Sequence, residues 1–291
     1  MNKYIITTDD TTDLPLEYYN EYNVPALHLS YVVNDVIYDG VEKKLSHNEF
    51  YNEIRNGAMP YTQQVNPETS RMFFEKLVKE GYDILHIAFS SGLSGTCNSA
   101  IMGANEVLEE YPEAKITVID SLCASMGEGL LVHEAIKCQK NGMDYDTLVD
   151  WVENHKLKIV HEVLADDLFH LHRGGRVSKV AAVVGSSLGV KPIIHVDNEG
   201  KLIPFAKQRH KNAALKYLAA NLEKKIKISE QLNTIAISHS NCLEDAEKLA
   251  NMIRDKYGIQ HIIISDIGPT IGSHTGTGTV AIFYFADTRA V

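Results

Sequence analysis

Apolar strands that alternate with amphipathic helices constrain the fold of this chain more than any other feature. In the first half, a strand over residues 84–89 is followed by a helix over 96–110 and a strand over 115–120. Strands joined in this way pair in parallel, because each helix carries the chain back across one face of the sheet. The sequence therefore predicts an α/β fold whose first sheet is mainly parallel, with flanking helices.

The pattern changes near residue 155. Two apolar segments, 190–196 and 201–206, are joined by the polar turn 197–200, which is typical of an antiparallel hairpin. A chain of 291 residues is long enough for two domains. We therefore predict an N-terminal α/β domain over residues 1–155 and a C-terminal domain over 156–291 that contains a mixed sheet and helices.

Three further segments have distinct patterns. The β-branched and aromatic residues of Val24–Val33 predict one strand. Pro60–Pro67 is rich in polar residues and is predicted as a loop before a helix. The glycine-rich run Gly268–Thr279 predicts tight turns that lead into a closing strand over residues 280–286.

The charge and the cysteines exclude several classes of protein. With 28 Lys+Arg against 38 Asp+Glu, the chain lacks the basic surface of a general nucleic-acid-binding protein. No apolar run approaches the ~20 residues that span a bilayer. The start, MNKYIITTDD, has no signal-peptide pattern, and the four cysteines have no metal-binding spacing. We expect a cytoplasmic protein with reduced cysteines and no nucleic-acid partner.

The positive charge is concentrated in one segment. Residues 1–155 carry 10 Lys+Arg and 25 Asp+Glu, whereas residues 156–291 carry 18 and 13. Residues 173–211 contain eight basic residues and two acidic ones. A solvated helix face accounts for part of this pattern, but in an acidic protein such a segment favours contact with an anionic group or an acidic partner.

The strand over 84–89 ends in a polar loop, Ser90–Thr96, directly before the next helix. Gly92 and Gly95 permit tight turns and close approach of the backbone. The hydroxyls of the loop and the free N–H groups of the first helical turn can bind an anion, and ligands of open α/β sheets bind at this end of the strands. The loop is a candidate carboxylate or phosphate site, with helix capping alone as the alternative.

Other polar segments could reach the same crevice. Ser121 opens a second junction between a strand and a helix, and Thr62 lies in the predicted loop 60–67. The run Arg173-Gly-Gly-Arg176 combines adaptable backbone with fixed positive charge, although it could also simply end a helix.

Metal binding is disfavoured at both places where the residue types suggest it. The three acids within Asp9–Asp13 lack the further ligands and the glycine of a calcium loop. Asp13 and Asp167 are expected instead to cap the helices that follow them. The histidines within 161–172 have no HExxH spacing and no matching set of cysteines or carboxylates.

The order and spacing of these motifs resemble the DegV family over nearly the whole chain. The segments that carry the resemblance are TDDTTDLP at 8–15, YTQQ at 61–64, SSGLSGT at 90–96, DS at 120–121, HRGGRVSK at 172–179, KP at 191–192 and GSHTGTGT at 272–279. The resemblance implies a two-domain α/β protein that binds a long-chain fatty acid, such as palmitate, stearate or oleate, between its domains. It further implies that the chain presents the carboxylate to a separate ATP-binding fatty-acid kinase subunit for acyl-phosphate formation.

The resemblance implies no cofactor, no metal and no independent catalysis, and it leaves room for peripheral membrane contact during lipid exchange. It places the family's carboxylate-binding threonine and serine on Thr62 and Ser94. The partner-facing and phosphate-facing arginine falls on Arg173, and the histidine of the closing motif on His274. With neighbouring positions included, the implied carboxylate-binding set is Thr62, Ser94, Gly95, Ser121 and His274, and the implied partner-facing set is Arg173 and Arg176.

The sequence departs from the family pattern in three places. Gln63-Gln64-Val65 stands where Ser-Gln-Pro is usual, Asp10 where serine is common, and Thr277 where proline is common. Two other functions stay open. A serine hydrolase would use Ser94 as nucleophile and His274 as base, but LSG is not the GxSxG elbow. A kinase that acts alone would need a nucleotide-binding signature, and no P-loop lysine is present.

Overall fold

The computed structural model describes residues 3–166, 168–178, 189–226 and 233–289. The strands are β1 (Lys3–Asp9), β2 (Ala26–Leu27), β3 (Ser30–Val33), β4 (Val36–Tyr38), β5 (Tyr61–Gln63), β6 (Tyr82–Ala88), β7 (Ile116–Asp120), β8 (Ile159–Leu164), β9 (Val190–Val196), β10 (Leu202–Arg209), β11 (Ile235–His239), β12 (Ile262–Asp266) and β13 (Val280–Phe285). The helices are α1 (Leu16–Tyr22), α2 (His47–Arg55), α3 (Pro67–Lys79), α4 (Thr96–Glu110), α5 (Met126–Lys140), α6 (Tyr145–His155), α7 (Phe169–Arg173), α8 (Lys211–Lys225), α9 (Leu243–Tyr257) and α10 (Pro269–Thr275).

The first sheet is parallel, as the sequence predicts, with strand order β2-β1-β6-β7. Successive residues of a strand face opposite sides, so Ile5 packs under α3 and α4 while Ile6 packs under α5. Local chemistry sets where the helices begin. Asn66 accepts a hydrogen bond from the Thr69 N–H at 2.8 Å and Pro67 opens α3.

The second sheet is mixed, which confirms the predicted fold class. Its order is β10-β9-β8-β13-β11-β12, and only the β11–β12 pair is parallel. Helices α8 and α9 bury Leu218 and Leu249 against one face. Helix α5 packs between the two sheets, because its apolar residues share a core with Ile6 of the first sheet and Phe283 of the second. The division at residues 155 and 156 stays a prediction.

The segment Val24–Val33 is not one strand, contrary to the prediction. It forms β2 in the parallel sheet and β3 in a third, antiparallel sheet of order β4-β3-β5. The chain leaves the first sheet after Leu27, and the Leu29 N–H donates to the Asp10 carboxylate at 3.2 Å. The predicted loop 60–67 likewise contains β5, which pairs with β3. A strand that is defined by pairing with a segment distant in the sequence has no local sequence pattern that would predict it.

The glycine-rich run also differs from the expectation of turns, because residues 269–275 form α10. Gly268 precedes Pro269 at the first position, and Gly276 ends the helix with φ of 69°. Asp13 does not cap the helix that follows it, contrary to the prediction. It has a left-handed conformation with φ of 52°, and no side-chain cap is present on α1, which begins after Pro15. Asp167 lies outside the described residues.

Candidate ligand-binding site

A cavity lies between the parallel sheet and the mixed sheet. The empty space between its walls, including the open mouth, is about 770 Å³. Its walls are mostly apolar and include Phe89, Val163, Ile194, Val196, Ile271 and Phe283. The polar residues that line it are Thr62, Ser94, Ser125, His161, Arg176, Thr270, His274, Thr275 and Thr279.

Thr62 and His274 meet at the wall of this cavity. The Thr62 Oγ1 lies 2.8 Å from the His274 Nε2, which brings β5 against α10. Burial, and secondarily the positive charges of Arg176 and Arg173, lower the pKa of His274 to about 4. The imidazole is therefore neutral at physiological pH and carries one N–H.

Gly174 allows the other side of this imidazole to pack closely. A Cβ at Gly174 would lie 2.3 Å from the His274 Nδ1, whereas a Cβ at Gly175 would meet nothing within 4 Å. The first glycine of the Arg-Gly-Gly-Arg run therefore makes room for His274. The second has φ of 76°, which is a conformation that favours glycine.

Ser94 is held by the first turn of α4. Its Oγ accepts a hydrogen bond from the Thr96 N–H at 3.2 Å and lies 3.0 Å from the Thr96 Oγ1. The Thr96 Oγ1 in turn accepts from the Val65 N–H at 3.3 Å, so its own proton is available to Ser94. When Thr96 donates to Ser94, both bonds arrive at the Ser94 oxygen and the Ser94 O–H is left to donate into the cavity.

The loop that carries Ser94 is packed from two sides. The Ser90 hydroxyl donates to the Gly200 carbonyl at 2.9 Å, where the β9–β10 turn presses on the loop. A Cβ at Gly95 would lie 2.2 Å from the Gln64 Oε1, so this glycine lets the residues after Thr62 approach the loop. Gly95 is a packing position here and does not itself line the cavity.

The two arginines differ in position. Arg176 lines the cavity, and its Nε–H donates to the Leu93 carbonyl at 3.1 Å, beside Ser94. Arg173 is exposed and does not line the cavity. It donates to the carbonyls of Pro60 at 2.7 Å and Ser273 at 3.3 Å, which leaves other N–H groups of its guanidinium available.

Ser121 is buried away from the cavity. Its hydroxyl accepts from the Cys123 N–H at 3.1 Å, within the loop between β7 and α5. The structure therefore brings together Thr62, Ser94, His274 and Arg176 but leaves Gly95, Ser121 and Arg173 outside the lining. Among the lining residues that the site prediction omits, Ser125 follows β7 in a strand-to-helix junction, which is a position that a search of loops could have selected.

Asp13 fixes two walls of the cavity relative to each other. Its carboxylate accepts from the Ser125 hydroxyl at 2.5 Å and from the Gly268 N–H at 2.8 Å, and its carbonyl accepts from Ser265 at 2.5 Å. These bonds tie the end of β1 to the starts of α5 and α10. Burial raises the pKa of Asp13 to about 7 despite the two hydrogen bonds to its carboxylate.

His161 forms part of the wall rather than a reactive group. Its Nδ1 lies 3.1 Å from the Ile159 carbonyl, and its Nε2 accepts from the Ala124 N–H at 3.3 Å. This pair of bonds fixes a neutral tautomer, and burial lowers the pKa of His161 well below its usual value. Within the described ranges, no group of three or more His, Cys, Asp or Glu is arranged to hold a metal ion.

The contacts around Ser94 and His274 do not form a nucleophile–base pair. Ser94 is bonded to Thr96, and His274 to Thr62, in the part of the chain that the structure describes. An imidazole whose pKa is about 4 is also a weak base at neutral pH. No helix among the described residues is long and apolar enough to cross a membrane.

Comparison with known proteins identifies the family. Residues 3–287 match the family model described as an uncharacterised protein of the DegV family. The chain belongs to the DegV family. A DegV domain-containing protein of Clostridium perfringens is 44% identical over 290 residues, which cover 99% of each chain.

Solved structures of other DegV proteins share the fold. The fatty acid binding DegV family protein of Streptococcus agalactiae superposes with a TM-score of 0.83 at 28% identity, over 99% of this chain and 100% of that one. DegV of Bacillus subtilis, described as a fatty acid binding protein, has a TM-score of 0.82 at 29% identity, over 98% and 100%.

Proposed function

We propose that this DegV protein binds a long-chain fatty acid, such as palmitate, stearate or oleate, in the cavity between its two predicted domains. The single observation that carries the proposal is the composition of the cavity wall. It is mostly apolar, and Thr62 and Ser94 offer it two neutral hydroxyls that the protein orients. Family members from Streptococcus agalactiae and Bacillus subtilis, described as fatty acid binding, support the ligand class.

The hydrogen bonds around Thr62 and Ser94 suit a ligand group that can only accept hydrogen bonds. If the neutral His274 carries its proton on Nε2, it donates to the Thr62 Oγ1 and the Thr62 O–H is free. A carboxylate would select this tautomer, because it needs donors from both Thr62 and Ser94. Burial, and secondarily the positive charges of Arg176 and Arg173, disfavour the doubly protonated ring, so one nitrogen of His274 keeps its lone pair in either tautomer.

The tail and the head contribute differently to binding. Each buried methylene is worth about 0.8 kcal/mol, so a sixteen-carbon chain gains on the order of 10 kcal/mol before the costs of binding. Each hydrogen bond to a charged head adds about 1.5–3 kcal/mol. The apolar wall therefore sets most of the affinity, while Thr62 and Ser94 fix the position and orientation of the carboxylate.

We further propose that the protein is a cytoplasmic carrier that presents the carboxylate to a separate ATP-dependent fatty-acid kinase. Neutral donors leave a carboxylate oxygen nucleophilic, which a bidentate arginine would reduce. Arg173 lies outside the lining and is exposed, so its guanidinium is available to a partner and to a transferring phosphoryl group. In this account the chain itself has no catalytic residue and needs no cofactor.

The head-group assignment is tested by comparing palmitate with its methyl ester. We expect Thr62→Val and Ser94→Ala each to weaken palmitate binding about tenfold or more. Both variants should change the affinity for the ester much less, because the ester has no charge for the hydroxyls to stabilise. Thr69→Val makes the same chemical change as Thr62→Val on the exposed face of α3 and should leave both affinities unchanged. Equal losses for acid and ester would contradict the assignment.

A further inference from the structure

One hydroxyl in the cavity wall has no hydrogen-bond partner among the residues that the structure describes. Thr275 and Thr279 line the same cavity, but the Thr275 hydroxyl lies 3.3 Å from Ser240 and the Thr279 hydroxyl donates to the Thr275 carbonyl at 3.3 Å. Ser125 is bonded to Asp13. The Thr270 hydroxyl forms no hydrogen bond with any residue that the structure describes, although Thr270 is only 7% exposed.

Because Thr270 lines the cavity, its hydroxyl takes its hydrogen-bond partner from the cavity, either a water molecule or a group of the ligand. A ligand that displaces the water without replacing its hydrogen bond leaves the hydroxyl unpaired, which is unfavourable. Valine has nearly the shape of threonine and would fill this position in an apolar wall without that cost. A group of the ligand is therefore the expected hydrogen-bond partner of the Thr270 hydroxyl.

The position of Thr270 indicates which part of a ligand it would meet. Thr270 and His274 are four residues apart on α10, so they lie on the same side of the helix about 6 Å apart along its axis. Ile267 and Ile271, which lie on either side of Thr270 in the sequence, also line the cavity with apolar side chains. Thr270 thus lies near the head-group residues and beside apolar wall that would contact the first carbons of an acyl chain.

We propose that Thr270 forms a subsite for a hydroxyl group on the carboxyl-proximal part of the acyl chain. The ligand class that it favours is a long-chain fatty acid with a hydroxyl on one of the first carbons after the carboxylate. This inference rests on the proposed binding of fatty acids and specifies which of them the cavity prefers. A secondary alcohol can both donate to and accept from the Thr270 hydroxyl, and its own burial is then compensated.

The test compares four ligands, palmitate and its 2-hydroxy, 3-hydroxy and 16-hydroxy derivatives, by titration calorimetry. Each is measured with the wild-type protein, with Thr270→Val, which keeps the shape, and with Thr270→Ser, which keeps the hydroxyl. We expect the valine variant to weaken binding of the 2-hydroxy or the 3-hydroxy acid at least threefold more than it weakens palmitate. Thr270→Ser should restore the difference, and the 16-hydroxy acid should behave as palmitate does.

The outcomes separate this subsite from the proposed function. If the wild-type protein binds palmitate but Thr270→Val affects both proximal hydroxy acids and palmitate within threefold of each other, the subsite is wrong and fatty-acid binding stands. The subsite would also be wrong if Thr270→Val weakened binding of the 16-hydroxy acid as much as binding of the 2-hydroxy or 3-hydroxy acid. The preference would then not depend on where the hydroxyl lies along the acyl chain. If the wild-type protein binds none of the four ligands, the proposed function itself fails.

Discussion

The Thr62 hydroxyl and the His274 imidazole are 212 positions apart in the sequence and lie 2.8 Å from each other. This contact joins the three-stranded sheet to α10 at the wall of the cavity, and it uses a histidine that burial keeps neutral. Neither residue belongs to a strong catalytic motif. Together they place a hydroxyl next to a neutral ring at the cavity wall, where we propose that it holds the carboxylate.

Gly174→Ala should disrupt this contact. The new methyl group would lie 2.3 Å from the His274 Nδ1, so the imidazole has to move away from Thr62. We expect palmitate binding to weaken about tenfold, measured by calorimetry. Gly175→Ala is the matched control. Its methyl group would meet nothing within 4 Å, but an alanine is strained at the positive φ of this position. That control should lower thermal stability with little change in affinity, and equal affinity losses in the two variants would contradict the role of Gly174.

Thr96→Val should weaken fatty-acid binding although Thr96 does not line the cavity. The Thr96 hydroxyl connects Ser94 to the Val65 N–H, and its removal leaves the Ser94 proton without a fixed direction. We expect a loss of affinity for palmitate about as large as that of Ser94→Ala, with no further loss in the double variant. Additive losses, measured by the same titration, would show that Thr96 acts independently of Ser94.

Much of the architecture could be predicted from local sequence. The strand and helix periods predict both main sheets and the helices that pack on them. Strand β5 could not be predicted in this way, because it is fixed by pairing with β3. Helix α10 has boundary signals in Pro269 and Gly276, but the small and polar residues between them hide its helical pattern, and Gly272 packs closely against Tyr51. The residues that line the cavity could not be predicted either, because Phe89, Ile194 and Phe283 come together only when the two sheets pack.

The free energy of unfolding should fall as the pH rises from about 4 to 7, because of the ionisation of Asp13. Its pKa is about 7 in the folded protein and about 3.9 in an unfolded chain, so the folded state binds more protons in this window. The contribution of Asp13 to the stability of the folded protein is therefore fully present below its pKa in the unfolded chain. It is lost as the pH rises through its pKa in the folded protein. Asp13→Asn resembles the protonated acid and should become more stable, relative to the wild type, on the order of 2 kcal/mol between pH 5 and 8.

Denaturant unfolding at pH 5, 6, 7 and 8 checks this prediction. Asp35→Asn provides the control, because Asp35 is exposed and should give a curve parallel to that of the wild type. A parallel curve for Asp13→Asn would mean that Asp13 ionises in the folded protein as it does in the unfolded chain.

Arg173→Ala should separate ligand binding from use of the ligand. The side chain lies outside the cavity lining and is bonded to the carbonyls of Pro60 and Ser273, so palmitate affinity should change less than threefold. Acyl-phosphate formation with the ATP-binding kinase subunit, measured with saturating palmitate, should fall at least tenfold. Loss of palmitate affinity in parallel with phosphorylation would assign Arg173 to the ligand site instead.

Native mass spectrometry of the purified chain tests the central claim most directly. We predict that the protein carries or takes up one palmitate, stearate or oleate per chain, and that Ser94→Ala combined with Thr62→Val releases the acid at a lower collision energy than Thr69→Val does. A protein that has only its apo mass, and stays unliganded after incubation with each of the three acids, would contradict the proposal that this cavity binds a fatty acid.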